Sequence, residues 1–195
     1  MSTGMWSAAW HDGRVDDRAL IDAVLSGDRS AFRVIVDRES RSVYLACLRI
    51  LGRHHDAEDV TQESFVAAYR SIRTFRGDGT LRAWLLRIAT RQAFRRLSQR
   101  RTSVDLAEIP EPRLVDASGE PTRVLVAADD RRAVRDAVAT LPDPYREVVA
   151  LRFFADLSLA EVAEATGRPL NTVKTHLRRG LERLRPAFDA QDVDR

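Results

Sequence analysis

Cysteine is almost absent from this sequence, in which Cys47 is the only one. A lone thiol forms no intramolecular disulfide and cannot supply the thiolate cluster of a zinc site. Because Cys47 lies within an apolar helical run, we interpret it as a small core residue. The sequence therefore excludes a disulfide framework and a cysteine-rich metal centre.

Proline and glycine are scarce as well, with seven and nine copies among 195 residues. Alanine, leucine and arginine are abundant instead, and 44% of residues are hydrophobic, which favours an all-α protein with real cores. Long apolar runs are also missing, since Arg49 interrupts the most apolar stretch, residues 43–51. No stretch approaches a membrane span and no signal peptide is apparent, so we predict a cytoplasmic protein without membrane insertion.

Lysine is represented only by Lys174, so arginine carries almost all of the positive charge. The formal net charge of +3 hides a strong segregation along the chain. Residues 54–63 hold four acids and no Lys or Arg, residues 82–101 hold seven arginines and no acid, and residues 102–130 are acidic again. The basic surfaces suit nucleic acid, whereas the acidic ones require another partner.

Hydrophobic periodicity predicts two small helical domains joined by an acidic, flexible linker. The predicted parts are a loose tail at 1–16, a first domain at 17–101, a linker at 102–128 and a second domain at 129–189. Within the domains, the predicted helices span 17–26, 30–52, 56–73, 80–101, 129–140 and 144–155, followed by a helix-turn-helix.

The helix-turn-helix is the most informative segment, at residues 157–185. Ser158 and Glu161 have capping-box spacing, Gly167 ends the first helix, and Pro169 suits the first position of the second. Apolar residues at helical spacing predict a buried stripe on that second helix, formed by Leu170, Val173, Leu177, Leu181 and Leu184.

The other faces of the second helix are polar and mostly basic, which is typical of a helix that enters the major groove. Its candidate DNA-binding residues are Asn171, Thr172, Lys174, Thr175, Arg178 and Arg179. The alternative is an ordinary amphipathic helix of a bundle, which would require both the turn spacing and the one-sided charge to be accidental.

A second basic helix is predicted at 80–101, where Arg87, Arg91 and Arg95 recur every four residues and share one face. Phosphates of a DNA strand could lie along that face. The aromatic residues nearby, Phe75, Trp84 and Phe94, could stack on bases or belong to the core, and Trp84 favours the core because it lies on the apolar stripe.

The acidic segment 54–63 allows two interpretations. His54 with Glu58, and His55 with Asp59, have the i, i+4 spacing that a metal can bridge on a helix. Carboxylates in a first helical turn also favour the helix dipole without any ligand. No Ser, Cys or His constellation suggests nucleophilic catalysis, so a metal-dependent nuclease is the remaining enzyme hypothesis.

Three motifs that follow one another along the chain, together with the helix-turn-helix, make the sequence resemble a known protein family. They are the run Asp56-Ala57-Glu58-Asp59-Val60-Thr61-Gln62-Glu63-Ser64-Phe65, the run Phe75-Arg76-Gly77-Asp78 followed by Leu81-Arg82-Ala83-Trp84-Leu85, and the run Leu141-Pro142 with Tyr145-Arg146-Glu147-Val148-Val149. From about residue 17 to 188 the chain resembles bacterial sigma factors of the extracytoplasmic-function (ECF) type, the small two-domain branch of the sigma-70 family.

The resemblance implies three binding surfaces and no catalysis by this chain. Core RNA polymerase would be bound by Asp56, Glu58, Asp59, Gln62, Glu63 and Phe65. The −10 promoter element would be opened and held by Phe75, Arg76, Asp78, Arg87, Arg91 and Arg95. The −35 element would be bound by the six polar residues of the last helix. An anti-sigma factor is a further implied partner, and no cofactor is implied.

Two positions depart from the family pattern, because His176 and Leu181 stand where these factors often carry arginine. We interpret Leu181 as part of the buried stripe, and His176 as either a packing residue or a DNA contact. An ordinary helix-turn-helix regulator remains an alternative to a sigma factor. It would need only the C-terminal domain, so it leaves the acidic helix and the arginine helix unexplained.

Overall fold

The computed structural model describes residues 16–104 and 121–193, with side chains described for 16–100 and 130–186. Within these ranges all regular structure is helical, which confirms the predicted all-α class. The helices are α1 Asp17–Leu25, α2 Arg29–Leu51, α3 His54–Ser71, α4 Leu81–Val104, α5 Pro121–Thr140, α6 Asp143–Phe153, α7 Leu159–Thr166 and α8 Leu170–Val193, and a 3-10 turn, Ile72–Thr74, follows α3.

The first four helices form an N-terminal domain in which α2, α3 and α4 pack on one another and α1 lies against α2. Short polar signals set the helix ends. Asp28 caps α2 by accepting a hydrogen bond from the Ser30 N–H at 2.8 Å, and Gly52 ends α2 in the left-handed region at φ 71°. The core includes the fully buried side chains of Leu20, Ile35, Ile50, Val60, Leu81, Leu85 and Leu86.

The last four helices form a C-terminal domain in which α6 packs along α8 and α7 lies across both. Its buried side chains include Val138, Val148, Leu151, Leu157, Val162 and Val173. Gly180 of α8 faces α6 so closely that a Cβ atom there would lie 2.8 Å from Cγ2 of Val149. Because Gly180 has no side chain, α6 and α8 can approach each other this closely.

Helices extend into both ends of the predicted linker, 102–128. Residues 102–104 continue α4, and α5 begins at Pro121 rather than at 129. Residues 105–120, and the predicted tail up to residue 15, lie outside the described residues. Cys47 is fully buried, as the sequence predicts.

Candidate functional site

The acids of α3 divide between two faces of the helix. Asp56 accepts a hydrogen bond from Arg100 at 2.8 Å, and Glu63 accepts one from Arg96 at 2.6 Å. Arg96 also lies 4.0 Å from Asp59. The sequence pattern indicates an outside partner for these acids, whereas in the structure they pair with arginines of α4 in the same domain.

The opposite face of α3 is open. Glu58 and Gln62 are exposed and line a hollow of about 400 Å³ between α2 and α3, together with Ser40, Arg41, Tyr44 and Thr61. Val66 and Tyr69 continue the same face and are 50% and 43% exposed. Apolar side chains at helical spacing are expected to face the core, but these two face outward. We call Glu58, Gln62, Val66 and Tyr69 the α3 outer face.

Phe65 requires a correction, because only 7% of its surface is exposed. It packs in the core of the N-terminal domain, so it supports α3 from within and offers no surface to a partner. Tyr69 has the exposed aromatic ring of this helix, and that ring meets Phe32 edge-on with 4.9 Å between the ring centroids.

The two histidines in the first turn of α3 have protein partners. The His54 ring hydrogen-bonds the Tyr44 hydroxyl, and Nδ1 of His55 lies 3.3 Å from the Asp59 carboxylate. Among the residues that the structure describes, no three His, Cys, Asp or Glu side chains converge as metal ligands. The arrangement gives the metal-dependent nuclease hypothesis no support.

The loop 75–80 is held at both ends. Asp17 of α1 accepts the Leu81 N–H at 2.7 Å, and the Thr80 hydroxyl accepts the Ala83 N–H at 3.1 Å, so α4 begins with its first donors satisfied. At the other end, the half-buried Phe75 and Trp84 rings meet edge-on with centroids 5.7 Å apart. Between these anchors the loop side chains of Arg76 and Asp78 are exposed.

The three predicted phosphate-binding arginines of α4 do not share one environment. Arg91 and Arg95 are exposed. Arg87 is half-buried, and its Nε donates to Glu147 of α6 at 2.8 Å while its Nη1 donates to the Ala165 carbonyl at 3.0 Å. Arg87 therefore contacts the C-terminal domain.

Glu147 is the acid that holds Arg87. It also accepts a hydrogen bond from Arg168 at 2.6 Å. Burial favours the neutral carboxyl, but the hydrogen bonds from Arg87 and Arg168 outweigh it and hold the pKa of Glu147 below its ordinary value. The carboxylate is ionised at neutral pH and binds two guanidinium groups at once.

The helix-turn-helix forms as the sequence predicts. Ser158 and Glu161 make a reciprocal capping box at the start of α7, and Gly167 ends that helix at φ 66°. On α8 the side of Val173, Gly180 and Leu184 is buried against the domain. The predicted buried stripe is wrong at two of its five positions, because Leu170 is 40% exposed and Leu181 is 42% exposed.

The candidate DNA-binding residues of α8 lie on its outer side. Asn171, Lys174, Arg178 and Arg179 are exposed, while Thr172 and Thr175 are half-buried. Arg178 pairs with Glu182 one turn later at 2.6 Å, an exposed contact that contributes about 0.2–1 kcal/mol. DNA can displace so weak a partner.

A tyrosine of α6 fixes two side chains of α8. The Tyr145 ring meets His176 edge-on with centroids 5.5 Å apart, and the Arg183 guanidinium lies over the same ring at 5.2 Å. Nδ1 of His176 is buried without a hydrogen-bond partner among the described residues. His176 is therefore at least partly a packing residue, the first of the two roles left open by its sequence position.

Comparisons with known proteins cover both domains. The family models "Sigma-70 region 2" and "Sigma-70, region 4" match residues 35–102 and 131–184. The chain is 35% identical to the ECF RNA polymerase sigma factor SigW of Bacillus subtilis (strain 168), over 85% of this chain and 92% of SigW. It is 34% identical to the ECF RNA polymerase sigma-E factor of Haemophilus influenzae, over 88% of this chain and 94% of that protein.

This chain belongs to the ECF sigma factors of the sigma-70 family. Among solved structures, this sigma factor is similar to CnrH in complex with the cytosolic domain of CnrY, with a TM-score of 0.56 and 25% identity over 89% of this chain and 97% of CnrH. The fold is also that of RpoE from Bartonella quintana, solved with the anti-sigma factor NepR, with a TM-score of 0.51 and 20% identity over 81% of this chain and 96% of RpoE.

As a sigma factor the protein initiates transcription from promoters. Region 2 corresponds to most of α2, all of α3 and most of α4, and region 4 to the second half of α5 through most of α8. Sequence reasoning missed three residues that organise these regions: Glu147, Tyr145 and Arg168. Two of them lie in the Leu141–Val149 motif, but no local spacing shows which distant side chains they meet.

Proposed function

We propose that the α3 outer face is the main surface by which this sigma factor binds core RNA polymerase. The support is its chemistry: an exposed acid, an exposed amide and two exposed apolar side chains lie in line along one helix, beside an open hollow. Asp59 and Glu63 keep 44% and 53% of their side chains exposed and form the rim. Asp56 is mostly covered and supports the packing of α3 on α4.

Polymerase binding tests this assignment. Glu58→Lys with Gln62→Lys should weaken binding to core polymerase while the chain stays helical, and the loss should depend on salt because charges steer docking. Asp37→Lys, which changes an exposed acid of α2, is the matched control. Unchanged affinity of the double variant at moderate salt contradicts the proposal.

The −10 element is proposed to be melted and held by loop 75–80 and the basic face of α4. Phe75, Arg76, Asp78, Arg87, Arg91 and Arg95 remain the candidates. Arg91→Ala with Arg95→Ala should impair open-complex formation more than closed-complex binding, whereas Arg33→Ala, on the exposed side of α2, should not. Permanganate footprinting reports strand opening, and normal opening by the double variant would place the melting surface elsewhere.

The −35 element is proposed to lie against the first half of α8. The observation that carries this proposal is the geometry of that helix: the side of Val173 and Leu184 is buried, and Lys174, Arg178 and Arg179 project from the exposed side. Loss of a base contact should cost about 1–3 kcal/mol and relax specificity at one base pair, whereas loss of a phosphate contact weakens all sequences alike.

A −35 substitution series measured against Lys174→Ala, Arg178→Ala and Arg183→Ala separates the two kinds of contact. If all three variants lower transcription uniformly whatever the −35 sequence, α8 supplies affinity only. Asn171 and Thr172 lie at the helix start, where contacts to the DNA backbone are expected, whereas Thr175 lies with Lys174 and Arg178 in the first half of α8, where contacts to base edges are expected.

The wider function is proposed from the same surfaces. The two domains, at 17–101 and 129–189, would hold the −10 and −35 elements, and RNA synthesis itself would belong to the polymerase. An anti-sigma partner is supported by the solved relatives, and a cytoplasmic location follows from the polymerase. No helix of the described residues is long and apolar enough to cross a membrane. Pull-down with core polymerase, followed by run-off transcription on genomic fragments, tests the whole proposal.

A further inference from the structure

Helix α1 lies outside the Sigma-70 region 2 match, which begins at residue 35, and the sequence motifs give it no DNA-binding role. It nevertheless contacts the chain on both sides of loop 75–80. It lies against the 3-10 turn Ile72–Thr74 before the loop, and its Asp17 carboxylate accepts the Leu81 N–H at 2.7 Å after the loop. One short helix therefore supports both ends of the loop proposed to hold the −10 element.

The hydrogen bond from α4 to Asp17 satisfies a donor that α4 cannot satisfy by itself. The first N–H groups of an α-helix have no carbonyl partner within the helix. The Thr80 hydroxyl accepts the Ala83 N–H locally, whereas the Leu81 N–H depends on an acid 64 residues away in the sequence. Leu81 is fully buried, so loss of this acceptor would leave a donor unpaired and would destabilise the first turn of α4.

Asp17 is itself held in position by α2. Its Oδ2 atom accepts the Leu81 N–H, while its Oδ1 atom pairs with the Arg38 guanidinium. Arg38 in turn donates from Nε to Glu39 at 2.8 Å, and only 8% of the Glu39 side chain is exposed. A chain of charged groups therefore connects the buried side of α2 with the first turn of α4, and the negative charge of Asp17 suits the positive end of that helix.

The middle of the loop lacks comparable support. Arg76, Gly77 and Asp78 are exposed, and a Cβ atom on Gly77 would meet no heavy atom within 4 Å. The loop conformation therefore depends on where its two ends are held. The end at α4 also carries Trp84, whose ring meets the Phe75 ring at a centroid distance of 5.7 Å, so a shift of the first turn of α4 would move both rings.

We propose that Asp17 is a positioning residue for the −10 element, because it holds the first turn of α4 and thereby sets the conformation in which loop 75–80 receives an unstacked base. This inference rests on the −10 assignment proposed above. Asp17 acts through Leu81 and needs no contact with DNA. A loop that is already ordered loses less freedom when a base binds, whereas a loosened loop binds more weakly and can rearrange around an incorrect base.

Base discrimination by the holoenzyme tests this role. The holoenzyme is assembled from core polymerase and the full chain, on a promoter identified by run-off transcription and carrying single substitutions across the −10 element. Open complexes that resist heparin are counted by one round of transcription. We expect Asp17→Ala to lower the ratio of open complexes between the preferred base and the others about fivefold at the position that the loop reads. A merely structural loss would lower opening on all −10 sequences alike, and that result overturns the proposal.

Two conservative variants grade the effect. Asp17→Asn keeps an oxygen that can accept the Leu81 N–H but loses the ion pair with Arg38, so it should retain part of the discrimination. Arg38→Gln leaves the carboxylate in place without its cation and should also cause a partial loss. If Asp17→Ala does not fold, these two variants decide, and full discrimination by both overturns the proposal.

Two acids of α1 provide matched controls. Asp16 caps α1 by accepting the Arg18 N–H at 3.3 Å, so Asp16→Ala weakens the same helix without removing its contact to α4. Asp22→Ala removes an exposed acid of α1. Both variants should discriminate between bases as wild type does, because the buried apolar side chains of α1 still hold it in the core. An equal loss in Asp16→Ala and Asp17→Ala would attribute the effect to the stability of α1 and would overturn the positioning role.

Variants of the loop itself separate this inference from the −10 assignment. Arg76→Ala and Asp78→Ala change candidate base contacts, and at least one of them should lower discrimination at the same −10 position as Asp17→Ala. If neither does, the −10 assignment fails, and the role of Asp17 fails with it. If the loop variants lose discrimination and Asp17→Ala keeps it, only the positioning role is rejected.

Discussion

Gly180 offers a sharp test of how α8 is positioned. The substitution Gly180→Ala should lower the stability of the chain when residue 149 is valine and raise it when residue 149 is alanine. Alanine is the better helix former by about 1 kcal/mol. However, a Cβ atom at Gly180 would stand 2.8 Å from Cγ2 of Val149, about 1 Å inside normal carbon contact. Overpacking of this kind costs about 1–3 kcal/mol, so Gly180→Ala should destabilise the chain by about 1 kcal/mol net.

Removing the obstructing methyl group should reverse that result. Val149 is 2% exposed, and Val149→Ala alone should cost about 2 kcal/mol through lost burial and a small cavity. In that background Gly180→Ala meets no Cγ2, keeps its helical advantage and should stabilise by up to about 1 kcal/mol. The assay is denaturant unfolding followed by circular dichroism for all four chains of the cycle.

Duplex binding should follow the same pattern, because a displaced α8 moves its DNA-binding side chains. We expect Gly180→Ala to weaken binding to a −35 duplex and Val149→Ala to restore part of the loss. Strictly additive free energies of unfolding, with Gly180→Ala equally harmful in both backgrounds, would refute the steric argument.

Three further predictions concern single side chains. Ser158→Ala should lower the free energy of unfolding in denaturant by about 1 kcal/mol. Hydrogen bonds with Ser158 hold the pKa of Glu161 below its ordinary value of 4.5, so the capping box stabilises the chain at neutral pH and this stabilisation is lost as pH falls through the lowered pKa. The difference in stability between variant and wild type should therefore narrow in acid. Burial, reinforced by Arg168 and Arg179, holds the pKa of His176 below 6.5, so the unfolded chain takes up this proton first and stability should fall as pH drops below 6.5; His176→Gln should show a flatter series of melting temperatures. Burial raises the pKa of Cys47 to about 11, so a thiol reagent should modify it at about pH 8 only after unfolding, and rapid reaction with the folded chain would contradict its placement in the core.

The helices and their ends were largely predictable because their signals are local. Ser158, Glu161 and Gly167 act within a few residues of the chain, and the structure places each as its spacing predicts. Packing partners were less predictable. Val66, Tyr69 and Leu181 are apolar at helical spacing, yet they are exposed, because periodicity reports that a face exists and not that the fold covers it.

The pairing of charged side chains was the least predictable feature, because the sequence shows the sign of each charge but not which charges lie close together in the fold. The acids of α3 and the arginines of α4 suggested two outside partners, polymerase and DNA. In the folded chain Arg96 instead holds Glu63, and Arg87 holds Glu147, 60 residues away in the sequence. Charges of opposite sign that lie in separate segments of the sequence are therefore neighbours in the folded chain.

That internal pairing affects the ligands that use the paired groups. Where a candidate binding group already has a partner in the chain, as Arg87, Arg178 and Glu63 do, it must leave a protein group of opposite charge before it meets a phosphate or a basic partner. Both sides of the exchange are charge-assisted hydrogen bonds, so the net free energy is a small difference between similar terms. Binding to polymerase and promoter should therefore be readily reversible and sensitive to salt, and strengthening any one internal pair should make initiation harder rather than the chain merely more stable.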